Sequence, residues 1–276
     1  LVVVVDRRWR SANRALVDAM VASGVTVDAI AFPPPGSWRV RLRRGSILRK
    51  AVARHGVEVS YFPREVVPRT GVPQVLLARN LYAWQQFDSS AAIGGRVPAY
   101  LLRLMARRGA SRAAAVLAVS GVLARLIEAE TRSEVAAVVH HGCDLPEGEV
   151  RAGGESADRP HRVAMVGNVM ANKGIEVAIR GVSLAAQEPA SWELDVYGNR
   201  SDEVYATEVA ALARRLLGAE IFRGPAFGDD LVSAYRRADV VVMGGTFESF
   251  CFPLVEAMRS GCVVVAPDCA LVHELC

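Results

Sequence analysis

"FESFCFPLVEAMRSG", Phe247 to Gly261, sets two glutamates eight residues apart with a proline between them. Upstream, ADVVVM (238–243) is apolar and β-branched, the pattern of a buried strand, and it runs into Gly244-Gly245, where backbone can approach a ligand closely. Downstream, Pro253 suits the first position of a helix and Gly261 its stop. The reading is strand, loop, helix, with Glu248 in the loop and Glu256 in the first helical turn. Free N–H groups around Phe252 to Val255 would then point back at the loop, where an anion is favoured. CVVVA (262–266) resumes as a strand, so the unit belongs to an open parallel sheet, whose ligands sit beyond the carboxyl ends of strands.

The same alternation extends outward. Strands are expected at 162–167, 192–198 and 219–222, with helices at 173–186, 202–217, 229–237 and 253–260 and a further helix beginning near Ala270. In the first half, LVVVV (1–5) reads as a buried strand, followed by a helix from Ser11 to Ala22 and a strand at 26–32 stopped by Pro33, Pro34 and Pro35. Helices follow at 46–55, 97–111 and 121–130, and extended runs at 57–62, 74–79, 114–120 and 134–140. Between the halves, PEGEVRAGGESADRP (146–160) carries Gly, Pro and charge without apolar periodicity, which is linker composition. The expected fold is α/β, with two Rossmann-like doubly wound domains, residues 1–145 and 161–276, facing an interdomain cleft. The absence of an initiator Met and the stop inside an apparent helix at Cys276 imply missing terminal segments, so the C-terminal domain is expected to be incomplete.

Composition narrows the function. No apolar run approaches the length needed to cross a bilayer, and Leu1 to Val5 is too short for a signal peptide. The five cysteines show no CxxC pair and read as thiols of a reducing cytoplasm. Residues 1–150 hold 21 basic and 12 acidic groups, net +9, and residues 151–276 hold 12 and 17, net −5. Such asymmetry implies two domains with different surface roles, while the lack of a binding motif excludes nucleic acid as the partner. The basic run 39–56 reads as a solvated face, or more sharply as a peripheral docking face for anionic membrane or a phosphorylated acceptor. No Asp-x-Asp pair is present to hold a diphosphate through a divalent ion, and His140 and His141 have no second ligand cluster, so no metal site is expected.

The E-x7-E arrangement across a strand–loop–helix junction resembles the retaining GT-B glycosyltransferases, in particular family 4. VGNVMANKG (166–174), IFRGPAF (221–227), AYRRADVVV (234–242) and GCVVVAPD (261–268) resemble further elements of that family in order, and AVS (118–120) and HGCDL (141–145) fit the end of its N-terminal domain. The resemblance covers residues 113 to 276, and the earlier part by architecture only. It implies a hexosyltransferase that uses a nucleotide-sugar as substrate and needs no cofactor. Glu248 would contact the donor sugar and Lys173 would neutralise the diphosphate, as the catalytic pair. Glu256 would hold the ribose, and Gly167, Asn168, Phe250, Cys251, Phe252, Leu254, Pro225 and Arg223 would complete the donor side. Arg79 and Asn80, at the end of strand 74–79, would lie on the acceptor side.

This chain departs from the family at several points. Asn168 stands where arginine is usual, so Arg223 or Arg200 would have to supply a second cation. Cys251 stands for the usual glycine, and DRRWRS (6–11) replaces a glycine-rich loop. The resemblance implies a UDP-sugar as preferred donor, with GDP-mannose as rival, and an unassigned acceptor hydroxyl. A sugar-nucleotide-binding partner subunit of low catalytic power is the alternative. A Rossmann dehydrogenase ranks far below both, for the chain lacks a G-x-G-x-x-G after either leading strand.

Overall fold

The β-branched runs form parallel strands and the amphipathic segments between them form helices, as alternation demands. The computed structural model describes residues 1–31, 38–84, 96–145, 160–186, 192–245 and 247–276, without the side chains of 38–44 and 96–99. Prolines 33–35 and the linker expected at 146–160, Pro160 apart, lie outside the described residues. The chain packs as two units. One comprises Leu1–Val119 and Leu123–Val139, the other Ser120–Val122 and His140–Cys276.

In the first unit, β1 (Val2–Asp6) is followed by α1 (Arg7–Ala12), α2 (Arg14–Ala22) and β2 (Thr26–Ile30). Then come α3 (Trp38–His55), β3 (Ser60–Phe62), β4 (Gln74–Ala78), α4 (Arg96–Ala110), β5 (Ala115–Ala118), α5 (Gly121–Thr131) and β6 (Ala137–Val138). Among the described residues the strands form two parallel sheets, β1-β2 and β3-β4-β5-β6. The single helix expected at 11–22 is two, and it starts earlier. The Asp6 carboxylate accepts the Arg8 N–H at 2.8 Å and caps a helix that begins at Arg7, within the segment DRRWRS. At Asn13 the backbone leaves helical angles and the side-chain amide donates to the Trp9 carbonyl, breaking the run. Strand β1, expected to be buried, is only half-buried along its length, because among the described residues β2 is its one partner. The basic run lies in α3, whose side chains are described only from Gly45 onward.

The second unit carries β7 (His161–Val166), α6 (Ile175–Ala185), β8 (Trp192–Tyr197), α7 (Glu203–Leu217), β9 (Phe222–Gly224) and α8 (Asp229–Arg237). It ends with β10 (Val240–Val242), α9 (Phe252–Arg259), β11 (Val263–Val265) and α10 (Ala270–Leu275). The sheet order β9-β8-β7-β10-β11 is the doubly wound order, with first and fourth strands adjacent at its centre. Along β7 the side chains alternate between two cores. Val163 and Met165 join Ile175, Ile179, Leu194 and Val209 on one face. Ala164 joins Tyr197, Tyr235, Val241 and Ala257 on the other. Burial on both faces explains why these strands read as continuous apolar runs. The direction of winding reverses between β7 and β10, so the crevice beyond their carboxyl ends is where this topology puts a ligand.

Candidate active site

The chain leaving β7 passes Gly167 and Asn168 and makes a 3-10 turn at Ala171–Lys173 before α6 begins. Lys173 therefore belongs to the turn before the helix, not to the helix start that its sequence suggested. Gly174, with φ 61°, carries the chain from turn to helix. The chain leaving β10 passes Gly244 and Gly245 toward Glu248. These two loops touch backbone to backbone: a β-carbon on Gly244 would collide with the Gly174 carbonyl, and one on Gly245 with the Asn172 carbonyl. Only glycine permits this approach, and it brings Lys173 against Glu248.

There the Lys173 ammonium and the Glu248 carboxylate form an ion pair, their side chains 25% and 21% exposed. The Lys173 stem lies along Gly167, with 3.7 Å between its Cε and the place a β-carbon would take. Around the pair is a cavity of about 20 Å³, lined also by Gly167, Asn168, Met243, Cys251 and Pro253. Lys173 is the one cation among its lining residues. Cys251 sits at φ 44°, ψ 70° as the N-cap of α9, the left-handed conformation that favours glycine and that costs another residue about 1–2 kcal/mol. Burial, assisted by the Glu248 charge, pushes its thiol up to about 11, so it is neutral at physiological pH. The thiol lies 3.7 Å from the Met243 sulfur.

Other expected site residues are placed differently. Glu256 is the fifth residue of α9, in its second turn, because the helix begins at Phe252. Its carboxylate accepts from the Tyr235 hydroxyl at 2.7 Å and is not among the residues lining the cavity. Burial, and then the charge of Glu256, drives the Tyr235 phenol far above its usual range, so it stays a donor. The Leu254 N–H already donates to the Cys251 carbonyl at 3.1 Å, and Pro253 has none, so fewer amides are free at this terminus than expected. Leu254 is itself fully buried, and so nearly is Phe250, which packs against His141 with ring centroids 5.0 Å apart. Phe252 stacks on the same ring of His141 at 4.7 Å and meets Phe250 edge-on at 5.4 Å. Phe250 and Leu254 thus support the loop and leave only their backbone for a ligand, whereas Phe252 stays 45% exposed.

Arg223, expected as a second cation, is paired with Asp195 at 2.5 Å, and Arg200 with Glu203 at 2.9 Å. Neither lines the cavity, nor does the exposed Pro225. In the first unit, Asn80 caps the short turn Leu81–Ala83 by accepting from the Tyr82 N–H at 3.0 Å, and the Arg79 N–H donates to Glu65 at 2.9 Å. Two supports escaped the sequence reading. Tyr235 lies within the AYRRADVVV run but was read only as helix, and buried Ser120, within AVS, donates to the Ser249 carbonyl at 2.7 Å beside Glu248. Among the described residues no group of three His, Cys, Asp or Glu could hold a metal ion.

Comparison with known proteins places the chain's second unit beside glycosyltransferases. Residues 160–276, which contain every residue of the cavity, match the family profile of the glycosyl transferases group 1. The chain is 38% identical over 106 residues to mannosylfructose-phosphate synthase of Agrobacterium fabrum, covering 36% of this chain and 23% of that protein. It is 35% identical over 106 residues to the GDP-mannose-dependent alpha-mannosyltransferase of Mycolicibacterium smegmatis, covering 38% and 25%. The match thus spans about a quarter of the length of these relatives. Among solved structures, Anabaena HepE in complex with UDP-glucose aligns with 94% of this chain and 72% of its own at a TM-score of 0.64 and 17% identity, a likeness of fold.

Proposed function

We propose that this chain, a GT-B glycosyltransferase, moves a sugar from a nucleotide-sugar donor to an acceptor hydroxyl with retention of anomeric configuration and without a metal ion. One observation carries the reading: at the reversal point of the second sheet, glycine-bordered loops bring one lysine and one glutamate together in the segment that matches the glycosyltransferase profile. Lys173 would meet the diphosphate, whose negative charge grows as the sugar–phosphate bond breaks. Glu248 would accept hydrogen bonds from sugar hydroxyls, and Glu256, held by Tyr235, from the ribose. No protein nucleophile is required if the acceptor attacks on the face the nucleotide leaves and a donor phosphate oxygen takes its proton. Metal independence is supported by the lack of an Asp-x-Asp pair in the sequence. UDP-sugar is the preferred donor, in keeping with the UDP-glucose complex of the structural neighbour, and GDP-mannose is the rival, after the GDP-mannose-dependent relative. Arg79 and Asn80 remain the proposed acceptor-side residues.

A thermal-shift panel of UDP, GDP, dTDP and their sugars tests this, because a ligand that binds only the folded state raises apparent stability by mass action. One nucleotide family should stabilise the chain, and its sugar conjugate should support turnover in EDTA. Stabilisation by none of them would overturn the reading, strict dependence on Mn²⁺ or Mg²⁺ its metal-free part, and binding without turnover would return the partner-subunit reading.

A further inference from the structure

The cavity presents one cation and one carboxylate, and in the structure they neutralise each other. The proposed roles require different ligands for the two, phosphate for Lys173 and sugar hydroxyls for Glu248, and each ligand competes with the ion pair for its group. No second cation lines the cavity to relieve the competition, since Arg223 and Arg200 are engaged with Asp195 and Glu203. Cys251, a neutral thiol, does not relieve it either.

Resting on the donor-site reading above, we propose that Glu248 makes this site discriminate the nucleotide-sugar from the bare nucleoside diphosphate. Any diphosphate that takes Lys173 leaves the Glu248 carboxylate without its ammonium in a site only about one-fifth exposed. A nucleotide-sugar compensates that loss, because its hydroxyls donate to the carboxylate in charge-assisted hydrogen bonds. A nucleoside diphosphate does not. It brings no hydroxyl to that position, and its terminal phosphate carries more negative charge than the esterified one, so two like charges face each other. The same pair therefore admits donor and expels product: transfer removes the sugar and exposes the phosphate charge, and Glu248 recovers Lys173 as the product leaves. The glycine contacts keep the choice sharp, because the loops bearing the two groups are fixed against each other by backbone.

Glu248→Gln keeps the size and the hydrogen-bonding capacity of the side chain and removes its charge. The test is calorimetric titration of UDP, GDP, UDP-glucose and GDP-mannose into the wild-type chain and this variant, with Glu248→Ser as a second variant of different volume. The nucleoside diphosphate of the preferred family should bind both variants about two- to tenfold tighter than wild type, the scale of one released, partly exposed ion pair. Its sugar conjugate should gain nothing or bind more weakly, and product inhibition of turnover should strengthen in step. Equal or weaker binding of the diphosphate to both variants would overturn the proposal while leaving the donor site standing. Failure of all four ligands to bind the wild-type chain would remove the donor site itself.

Discussion

The ends of β4 and β7 are both carboxyl ends of parallel strands, yet they are built by different means. After β7 the chain is shaped by main-chain contacts, with Gly174, Gly244 and Gly245 pressed against neighbouring carbonyls and two charged side chains left facing a cavity. After β4 the chain is shaped by side-chain hydrogen bonds, with Asn80 spent on a turn and Glu65 on the Arg79 N–H. The first arrangement demands particular residues, because a β-carbon cannot be fitted into a backbone contact. The second can be met by many sequences, because any of several short polar residues caps a turn.

The contrast predicts unequal tolerance to the same substitution. Gly174→Ala combines a left-handed backbone with a collision against the Gly244 carbonyl, so it should cost about 2–5 kcal/mol and abolish nucleotide binding. Gly71→Ala, at φ 90° with nothing within 4 Å, should cost only the conformational part, about 1–2 kcal/mol, and leave binding intact. Denaturant unfolding of both variants measures the difference, and equal losses would break the comparison.

Next in size, Glu256→Gln should weaken nucleoside diphosphate and nucleotide-sugar together by about ten- to hundredfold, the loss of a charge-assisted hydrogen bond to ribose. Tyr235→Phe, which only frees Glu256 to turn, should weaken both by about two- to tenfold without changing turnover at saturation. Titration beside initial rates separates them, and an unchanged affinity in Glu256→Gln would return that residue to a structural role.

Much of this was legible because apolar alternation reports strands and helices, and because glycines at strand ends report close backbone approach. The ADVVVM run and Gly244-Gly245 led directly to the crevice. What was not legible is side-chain pairing at a distance in sequence. Nothing local to Arg223 announces Asp195, and nothing local to Glu256 announces Tyr235. The early helix start at Arg7 lies outside the helix expected from Ser11, because the cap that starts it, Asp6, stands in the segment DRRWRS that replaces a glycine-rich loop. Glu256 falls one position later in its helix than Pro253 as first residue implies, because Phe252 precedes the proline inside the helix.

Smaller effects refine the account. Cys251→Gly should relieve left-handed strain but loosen the unfolded chain less favourably, for a net gain of about 0–1 kcal/mol. In the parent chain this thiol, raised to about 11, should resist iodoacetamide at pH 8 and react as pH approaches that value, when the thiolate forms. Mass spectrometry of the Cys251 peptide across that range reads it out, and rapid labelling at pH 8 would contradict the half-buried, neutral thiol. At the other end of the comparison, Asn80→Ala should cost about 0.5–2 kcal/mol of stability through the lost cap while leaving nucleotide affinity unchanged.

The central claim is that the donor occupies the crevice beyond β7 and β10. Hydrogen–deuterium exchange with and without saturating UDP-glucose, and again with GDP-mannose, tests it most directly. For one of the two donors, slowed exchange should fall on peptides spanning 167–174 and 244–256, while peptides from 1–119 keep their rates. Protection concentrated in 1–119, or none in either loop at saturation, would contradict the account.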